Sequence, residues 1–470
     1  MPHPRPHPMR SLFILSLSAL AFALAQTMLI PALTDLARSL HTDASGVAWT
    51  ITGYLLSAAV CTPIFGRLGD MFGKRRLLVV ALGLFAAGSV VSALGTGLEV
   101  VVLGRVLQGA GGGIFPLCFG IIRDEFPRER VASSIGLISA TFGIGGGAGL
   151  ILGGLITDHA SYHWIFWLGA IAGVAAAIMT ELFVPESPVR TPGRVDVRGA
   201  LVLAVGLAAP LLAISRANEW GWLDDRTLGL FAFGLVVLAG WVLLQRRTAE
   251  PLVDIETLSK PPVLMTNFAT LLVGFGMFGS FILIPQLVEA PTSTSYGFGL
   301  TATGAGLLML PGALVMLVAG PLSGVLGTRH GSRLPLTMGA ATTSFGLLMM
   351  ALVHGSQGAM VGWNVVMSIG IGLAFAAMPN LILEAVPPEE TGQATGVNTL
   401  VRSVGASLGA QVTAAVLAGT AVGAGLPTDA GYTAAFLVGA GVALLAAITA
   451  ALIPSRSGRM AHAQPVTQAA

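Results

Sequence analysis

The chain has 470 residues, of which 54% are hydrophobic and only 10% charged, with a net charge of +2 and a mean hydropathy of +0.82. A soluble domain carries roughly 25% charged residues, so this much apolar surface has no place in one globular core and implies an integral membrane protein. Basic residues occur only in local patches and no zinc-ligand spacing is present, which excludes a nucleic-acid partner; no metal or cofactor is expected.

A helix needs about 20 mainly apolar residues to cross a bilayer. In chain order, candidate spans lie near 11–33, 47–66, 77–95, 99–122, 131–156, 163–184, 199–215, 227–245, 263–287, 300–327, 334–354, 358–383, 392–419 and 431–453. That makes fourteen, of which 199–215 is the shortest. The runs are continuous rather than alternating in roughly 10-residue units, so a β-barrel is excluded. The first run has a basic start and small residues at Ala23 and Ala25, like a signal peptide. It continues through Pro31 to Leu33, beyond the roughly 7–15 apolar residues of such segments, and predicts an uncleaved first helix. Cys61 and Cys118 both fall in apolar runs and are expected to pack as small hydrophobes without a disulfide.

Fourteen spans place both termini on one side. With the termini inside, the cytoplasmic segments carry nineteen of the 24 Lys and Arg residues, including Arg5, Lys74, Arg75, Arg76, Arg123, Arg194, Arg333, Arg456 and Arg459. The outer segments carry three, Arg38, Arg216 and Arg226. Lys and Arg concentrate on the cytoplasmic side of membrane proteins, so a multi-pass cell-membrane protein with cytoplasmic termini is expected. The other two, Arg105 and Arg402, lie within spans.

The loop PIFGRLGDMFGKRR, Pro63 to Arg76, returns as PLSGVLGTRHGSR, Pro321 to Arg333. At an offset of 258 they share Pro63/Pro321, Gly66/Gly324, Leu68/Leu326, Gly69/Gly327, Gly73/Gly331 and Arg75/Arg333. FPRERVASSIG from Phe126 matches VPPEETGQATG from Val386 at an offset of 260. Two matches at nearly one offset predict two related halves in parallel orientation, the architecture of a class of transporters that bind substrate between the halves. The predicted division is 1–187, a six-helix bundle; 188–260, a linker with two inserted spans; and 261–470, a second six-helix bundle with a short tail. Glycine-rich stretches such as Gly109–Gly113 and Gly143–Gly154 allow close helix packing. No strand precedes them and no acidic ribose partner follows, so a nucleotide loop is discounted.

Three motifs resemble those of the major facilitator superfamily. GRLGDMFGKRR matches its loop signature at Gly66, Asp70, Gly73, Lys74 and Arg75. LGRVLQGAGGG is similar to its fourth-helix motif, with Arg105, Gln108 and Gly109 in place, and GIGGGAGLILGG to its fifth-helix antiporter motif, with Gly145, Gly149, Gly153 and Gly154. With fourteen spans, the chain resembles the fourteen-helix drug:proton antiporter family. The resemblance implies two six-helix bundles plus two inserted helices, and a cytoplasmic gate built on Asp70.

Arg402 is the expected partner of Asp70, with Asp124 adding to the network; the plain alternative is a solvated loop that only sets topology. The second copy has Thr328 where the first has Asp70, so such a latch is one-sided. Arg105 aligns with Val365, so its charge is not a need shared by both halves. An ionisable residue inside a span marks function by default, and Gln108 stands at i+3 on the same face; the alternative is a side chain that snorkels to the outer interface.

The family pattern has an acid in the first helix, where this chain has Ala25 followed by Gln26. The fifth-helix Gly-Pro is Gly149-Leu150, and the Trp-Arg opening the sixth helix is Tyr162-His163. No Asp or Glu stands centrally in any span as drawn. Candidate proton sites are then Asp35 and Glu99, both peripheral, because arginine stays protonated. Candidate substrate contacts are Arg105 and Gln26, which favours neutral or anionic amphiphiles over polyvalent cations. Met309, Met316, Met349 and Met350 suit an adaptable apolar wall or ordinary packing.

No GxxxxGK[ST] sequence occurs, which excludes an ATP-driven pump. A membrane enzyme would need clustered catalytic groups that are not present. The expectation is therefore a non-enzymatic, monomeric secondary transporter in the lipid bilayer, exporting drugs, antibiotics or other amphiphilic small molecules against protons. A uniporter or symporter of a polar or anionic metabolite, and a transport-dead sensor, stay open.

Overall fold

The structure, a computed structural model, describes residues 8–42, 44–190, 196–420 and 427–454. Arg5, Arg194, Arg456 and Arg459 of the cytoplasmic set, and the polar tail, lie outside the described residues. Among the described residues all regular structure is helical. The first half comprises α1 (Pro8–Thr27), α2 (Leu33–Ser39), α3 (Ala44–Phe72), α4 (Lys74–Leu94), α5 (Leu98–Gly109), α6 (Ile114–Glu125), α7 (Arg128–His159) and α8 (His163–Phe183). Next come α9 (Val197–Trp220), α10 (Asp225–Arg247) and α11 (Ile255–Ser259). The second half holds α12 (Pro261–Glu289), α13 (Ala302–His330), α14 (Arg333–Leu352), α15 (Gln357–Ala385), α16 (Thr391–Gly419) and α17 (Asp429–Ala451).

Among the described residues, fourteen helical segments are long and apolar enough to span a bilayer, in the order the hydropathy predicts. They differ from the expected spans where local chemistry intervenes. The first helix stops at Thr27 instead of running to Leu33, and the chain turns through Met28–Ala32. Pro31 has no N–H to give to residue 27 and its ring crowds that carbonyl. The seventh span continues past residue 215 to Trp220 because Arg216 is held by Glu219 one turn on and lies 4.7 Å from the Trp49 ring centroid. The fourth span is α5 and α6 joined by a 3₁₀ turn at Ala110–Gly113. Three consecutive glycines weaken the α-helix there.

The repeat is visible in the backbone. Gly73 and Gly331, aligned at the offset of 258, both take a left-handed φ, +110° and +83°. Each follows the last residue of a long helix, α3 or α13, and stands in the short turn before the next, in a conformation that a side chain would oppose.

The halves meet along two seams, α7 against α13 and α3 against α16. Both depend on backbone-to-backbone approach. A Cβ on Gly136 would fall on the Gly320 carbonyl, and one on Gly66 on that of Gly392. The fifth-helix motif works within the first half: Gly145, Gly149 and Gly153 face Ala23, Thr27 and Met28 of α1, while Gly154 faces Thr303 of α13. Thr27 Oγ1 donates to the Gly145 carbonyl at 2.7 Å. Small residues replace the hydrophobic effect as the basis of helix association in lipid, because close approach maximises dispersion contacts.

Inserted helices α9 and α10 pack on each other, and α9 lies over the α3–α16 seam, with Leu203, Leu207 and Leu211 in one cluster with Ala59 and Leu400. Trp241 Nε1 donates to the Gly199 carbonyl at 2.9 Å and Gln245 Nε2 to Asp196 at 2.6 Å, which pins α10 to α9. The outward faces are apolar, as at Val236 on α10 and Leu444 and Ile448 on α17, the arrangement that a lipid solvent requires.

Gly153→Val should overpack the α1–α7 contact and cost about 1–3 kcal/mol. The expected outcome is a fall of several degrees in the thermal unfolding midpoint of the purified protein; an unchanged midpoint contradicts this account of the motif.

Candidate functional site

Three groups of buried charge stand inside the spans, and each is answered differently. The first lies at the face carrying the Pro63–Arg76 segment, which is not the loop expected from the sequence but the end of α3 and the start of α4, broken only at Gly73. Asp70 is 1% exposed near the end of α3. Its carboxylate accepts the backbone N–H of Gly392 at 3.1 Å and of Gln393 at 3.0 Å, in the first turn of α16. These N–H groups have no partner within their own helix, and the helix dipole favours a negative charge beside them. Lys74 Nζ, fully buried, lies 3.3 Å from Asp70 and 2.7 Å from Asp124. Ser187 donates to the same Asp124 carboxylate. Arg75 and Arg76 donate their backbone N–H groups to Glu186, which caps the start of α4.

Arg123 reaches the second half from the adjacent α6. It donates to the carbonyls of Leu383 (2.9 Å), Val386 (2.8 Å) and Pro387 (3.2 Å), and to Thr391 Oγ1 (2.6 Å). A cation at the C-terminus of α15 complements the carboxylate at the N-terminus of α16. The two halves are thus clamped at this face by an acid on one helix start and a base on the preceding helix end. Arg123 entered the sequence reading only as a topological charge; its place beside Asp124 at the end of a span was the available signal.

Arg402 is not part of this clamp. It is ten residues along α16 from Gly392, about 15 Å at the helical rise, and the expected Asp70–Arg402 pair is replaced by the Asp70 contacts with backbone N–H and Lys74. Thr328, the counterpart of Asp70, is exposed and bonds only to Val325 of its own helix.

The second group is Arg105, 1% exposed. Its Nε donates to the Thr50 carbonyl at 3.0 Å, and its Nη1 to Gln108 Oε1 at 2.8 Å and to the Ala25 carbonyl at 3.3 Å. Gln108 in turn donates to Ser89 Oγ at 2.6 Å. The guanidinium carbon lies 4.1 Å from the Tyr54 ring centroid. Arg105 therefore points into the first bundle and does not snorkel. It ties α5 to α1 and α3, with the Ala25 backbone as acceptor where the family pattern has an acid. Gln26, the other candidate substrate contact, instead lines a cavity that Tyr54 also walls.

That cavity holds the third group. It lies between the halves and is walled by Phe22, Tyr54, Phe115, Phe142 and Phe278, with Gln26, Thr62, Thr399, Ser403 and Ser407 as polar points. Arg402, 4% exposed, enters it from α16. Its guanidinium carbon is 4.2 Å from the Phe375 ring centroid and 5.5 Å from that of Phe142. The cavity is narrow and sits on the α3–α16 seam, beyond the tight contacts of Gly66 with Gly392 and of Pro63 with Gly396.

Asp35 and Glu99 stand away from it, at the opposite face. Asp35, in α2, is 43% exposed and 3.5 Å from Arg38, and Glu99 is exposed at the start of α5. The methionines do not form a cavity wall either. Met309, Met316 and Met350 are packed in the core, Met316 against Gly143.

Asp70→Ala and Arg123→Gln each remove charge-assisted hydrogen bonds worth about 1.5–3 kcal/mol apiece, roughly a tenfold change or more in the clamped population. Maleimide labelling of a cysteine placed at buried Thr395, with Cys61 and Cys118 replaced, should accelerate by that factor in either variant. An unchanged rate would show that these residues do not hold this face closed. Arg105→Lys should lower the unfolding midpoint by several degrees, because a point charge on a flexible stem cannot serve three acceptors at once. A midpoint equal to that of the native protein contradicts the bridging role.

The family model of the Major Facilitator Superfamily matches residues 15–410. Relatives include the tetracenomycin C resistance and export protein of Streptomyces glaucescens, 28% identical over 84% of this chain and 73% of its own. The uridine/deoxyuridine transporter of Lactococcus lactis is 29% identical over 80% of each chain. The multidrug resistance protein Stp of Mycobacterium tuberculosis is 29% identical over 78% of this chain and 68% of its own. In fold, the human organic anion transporter MFSD10 (TETRAN) superposes with a TM-score of 0.67 over 95% of this chain and all of its own, at 16% identity. With fourteen candidate spans, a clamp between halves and a cavity on their seam, the chain belongs to the Major Facilitator Superfamily of membrane transporters.

Proposed function

We propose that this transporter exports drugs, antibiotics or other amphiphilic small molecules from the cell in exchange for protons, acting as a monomer in the cell membrane with both termini cytoplasmic. The observation that carries the reading is the aromatic cavity between the halves, bounded on the basic face by the clamp of Asp70 and Arg123. Aromatic faces bind flat apolar bodies without demanding one shape, and a few hydroxyl and amide groups orient them. Two of the relatives named above carry export or multidrug resistance in their names, which supports the same direction.

Alternating access requires the basic face to open in turn. In this reading Asp70 is the lever: protonated, it no longer attracts the start of α16, and the clamp loosens. Asp35 and Glu99 are exposed and remote from the cavity, which makes them poorer coupling sites than the buried carboxylates of Asp70 and Asp124. Uptake of a polar metabolite is the second reading, favoured by the nucleoside transporter among the relatives.

The test is flux in everted membrane vesicles with an imposed pH gradient, across cationic, neutral and anionic aromatic solutes. Accumulation that rises with the gradient, and falls when an ionophore removes it, is expected. Accumulation indifferent to the gradient removes the proton exchange, and movement in the opposite sense removes export.

A further inference from the structure

Among the described residues, Arg402 makes no hydrogen bond and has no carboxylate within ion-pair distance. The other two cations buried in the spans have polar partners from the protein, although Arg105 keeps its Nη2 unbonded. Lys74 has Asp70 and Asp124, and Arg105 has two carbonyls, Gln108 and Tyr54. Arg402 has only aromatic faces, those of Phe375, Phe142 and, at 6.0 Å, Phe115. A guanidinium carries five N–H donors and stays charged. Ring faces attract the charge but leave those donors unused. The residues lining the cavity include no Asp or Glu and no second cation.

A buried charge without a counter-charge is costly in a low dielectric, and in a span it marks a ligand pathway. Its neighbours show what kind of ligand completes it. Phe142 and Phe375 stack at 5.1 Å between centroids beside the guanidinium, and Phe142 meets Phe278 edge to face at 6.1 Å. Ser403 and Ser407 follow one and five positions after Arg402 on the same helix and also line the cavity. A flat ring can slide against the phenylalanines while an acidic group at its edge meets the planar fork of Arg402, which matches a carboxylate bidentately. A cationic amphiphile meets repulsion at the same point, so the residue discriminates by excluding as well as by attracting.

We propose that the cavity is a receptor for flat aromatic anions, with Arg402 as their counter-charge; the inference rests on the exporter reading only in taking this cavity as the place where substrate binds. Arg105, the candidate anion contact in the sequence, is a positioning residue within the first bundle, and the anion site lies on the second half.

The probes are 2-naphthoate, 2-naphthamide and 2-naphthylmethylammonium, which share one ring system and differ in charge. Binding to the full-length protein in nanodiscs, without any gradient, is measured by calorimetry. Native protein should bind naphthoate roughly tenfold or more tighter than the amide, and the ammonium weakest. Arg402→Gln should abolish the preference by weakening naphthoate alone, with the amide within about twofold, and Arg402→Lys should restore part of it. Equal binding of the three probes by native protein, no binding of any, or equal weakening of acid and amide in Arg402→Gln would overturn the proposal. The first two outcomes need no variant, so a variant that does not fold leaves the proposal open to refutation. Flux of the same probes in everted vesicles separates the two readings. Selective binding of naphthoate without movement overturns export and keeps the anion site, whereas export of the ammonium probe with no naphthoate preference does the reverse.

Discussion

Inside a bilayer there is no water to answer a charge or a free backbone amide, and the protein must supply every partner itself. This structure meets that constraint by setting charged side chains on helix ends. Asp70 takes the open N–H groups at the start of α16, and Arg123 takes the open carbonyls at the end of α15. Both residues belong to the first half and both helix ends to the second. The same bonds that satisfy the buried groups therefore fasten the halves together at one face.

Such a fastening is strong while made and easy to lose as a unit. Gly66 against Gly392 and Gly136 against Gly320 leave backbone touching backbone across the two seams. Within the first half the glycines of α7 seat α1 firmly beside it through Gly145, Gly149 and Gly153. The inserted pair adds a further layer, α9 lying across the α3–α16 seam with α10 outside it.

Arg105 and Arg402 show how one residue type takes two roles. Around Arg105 the chain brings two backbone carbonyls, an amide oxygen and a ring, and the charge becomes part of the bundle. Around Arg402 it brings rings and, among the described residues, no acceptor, and the charge is left for something else to meet. Tyr54 touches both sites: its ring lies under Arg105 and is stacked at 5.6 Å on Phe22, and it also lines the cavity that Arg402 enters.

The number of spans, their order and the doubling of the chain were all legible in the sequence. Hydropathy over 20 residues is a local property, and Gly73 and Gly331 hold one register because the same turn is built twice. The closeness of Gln108 to Arg105 also followed from helical spacing, whereas the inward burial of Arg105 was one of two readings, the other being a side chain that snorkels. What spacing along one helix does not carry is which element lies opposite. Arg402 was assigned to Asp70 because opposite charges near one membrane face suggest a pair, yet the partner of Asp70 is a pair of backbone N–H groups that no sequence pattern displays. For Arg123 the place beside Asp124 at a span end was a signal, but its acceptors are carbonyls common to every residue and name no partner. The sequence by itself determined a fourteen-span, two-fold membrane protein with an arginine inside a span of its first half. Only tertiary packing decided that the clamp is made of helix ends, and that the unanswered charge is Arg402, because both depend on which backbone and which rings the fold brings within a few ångströms.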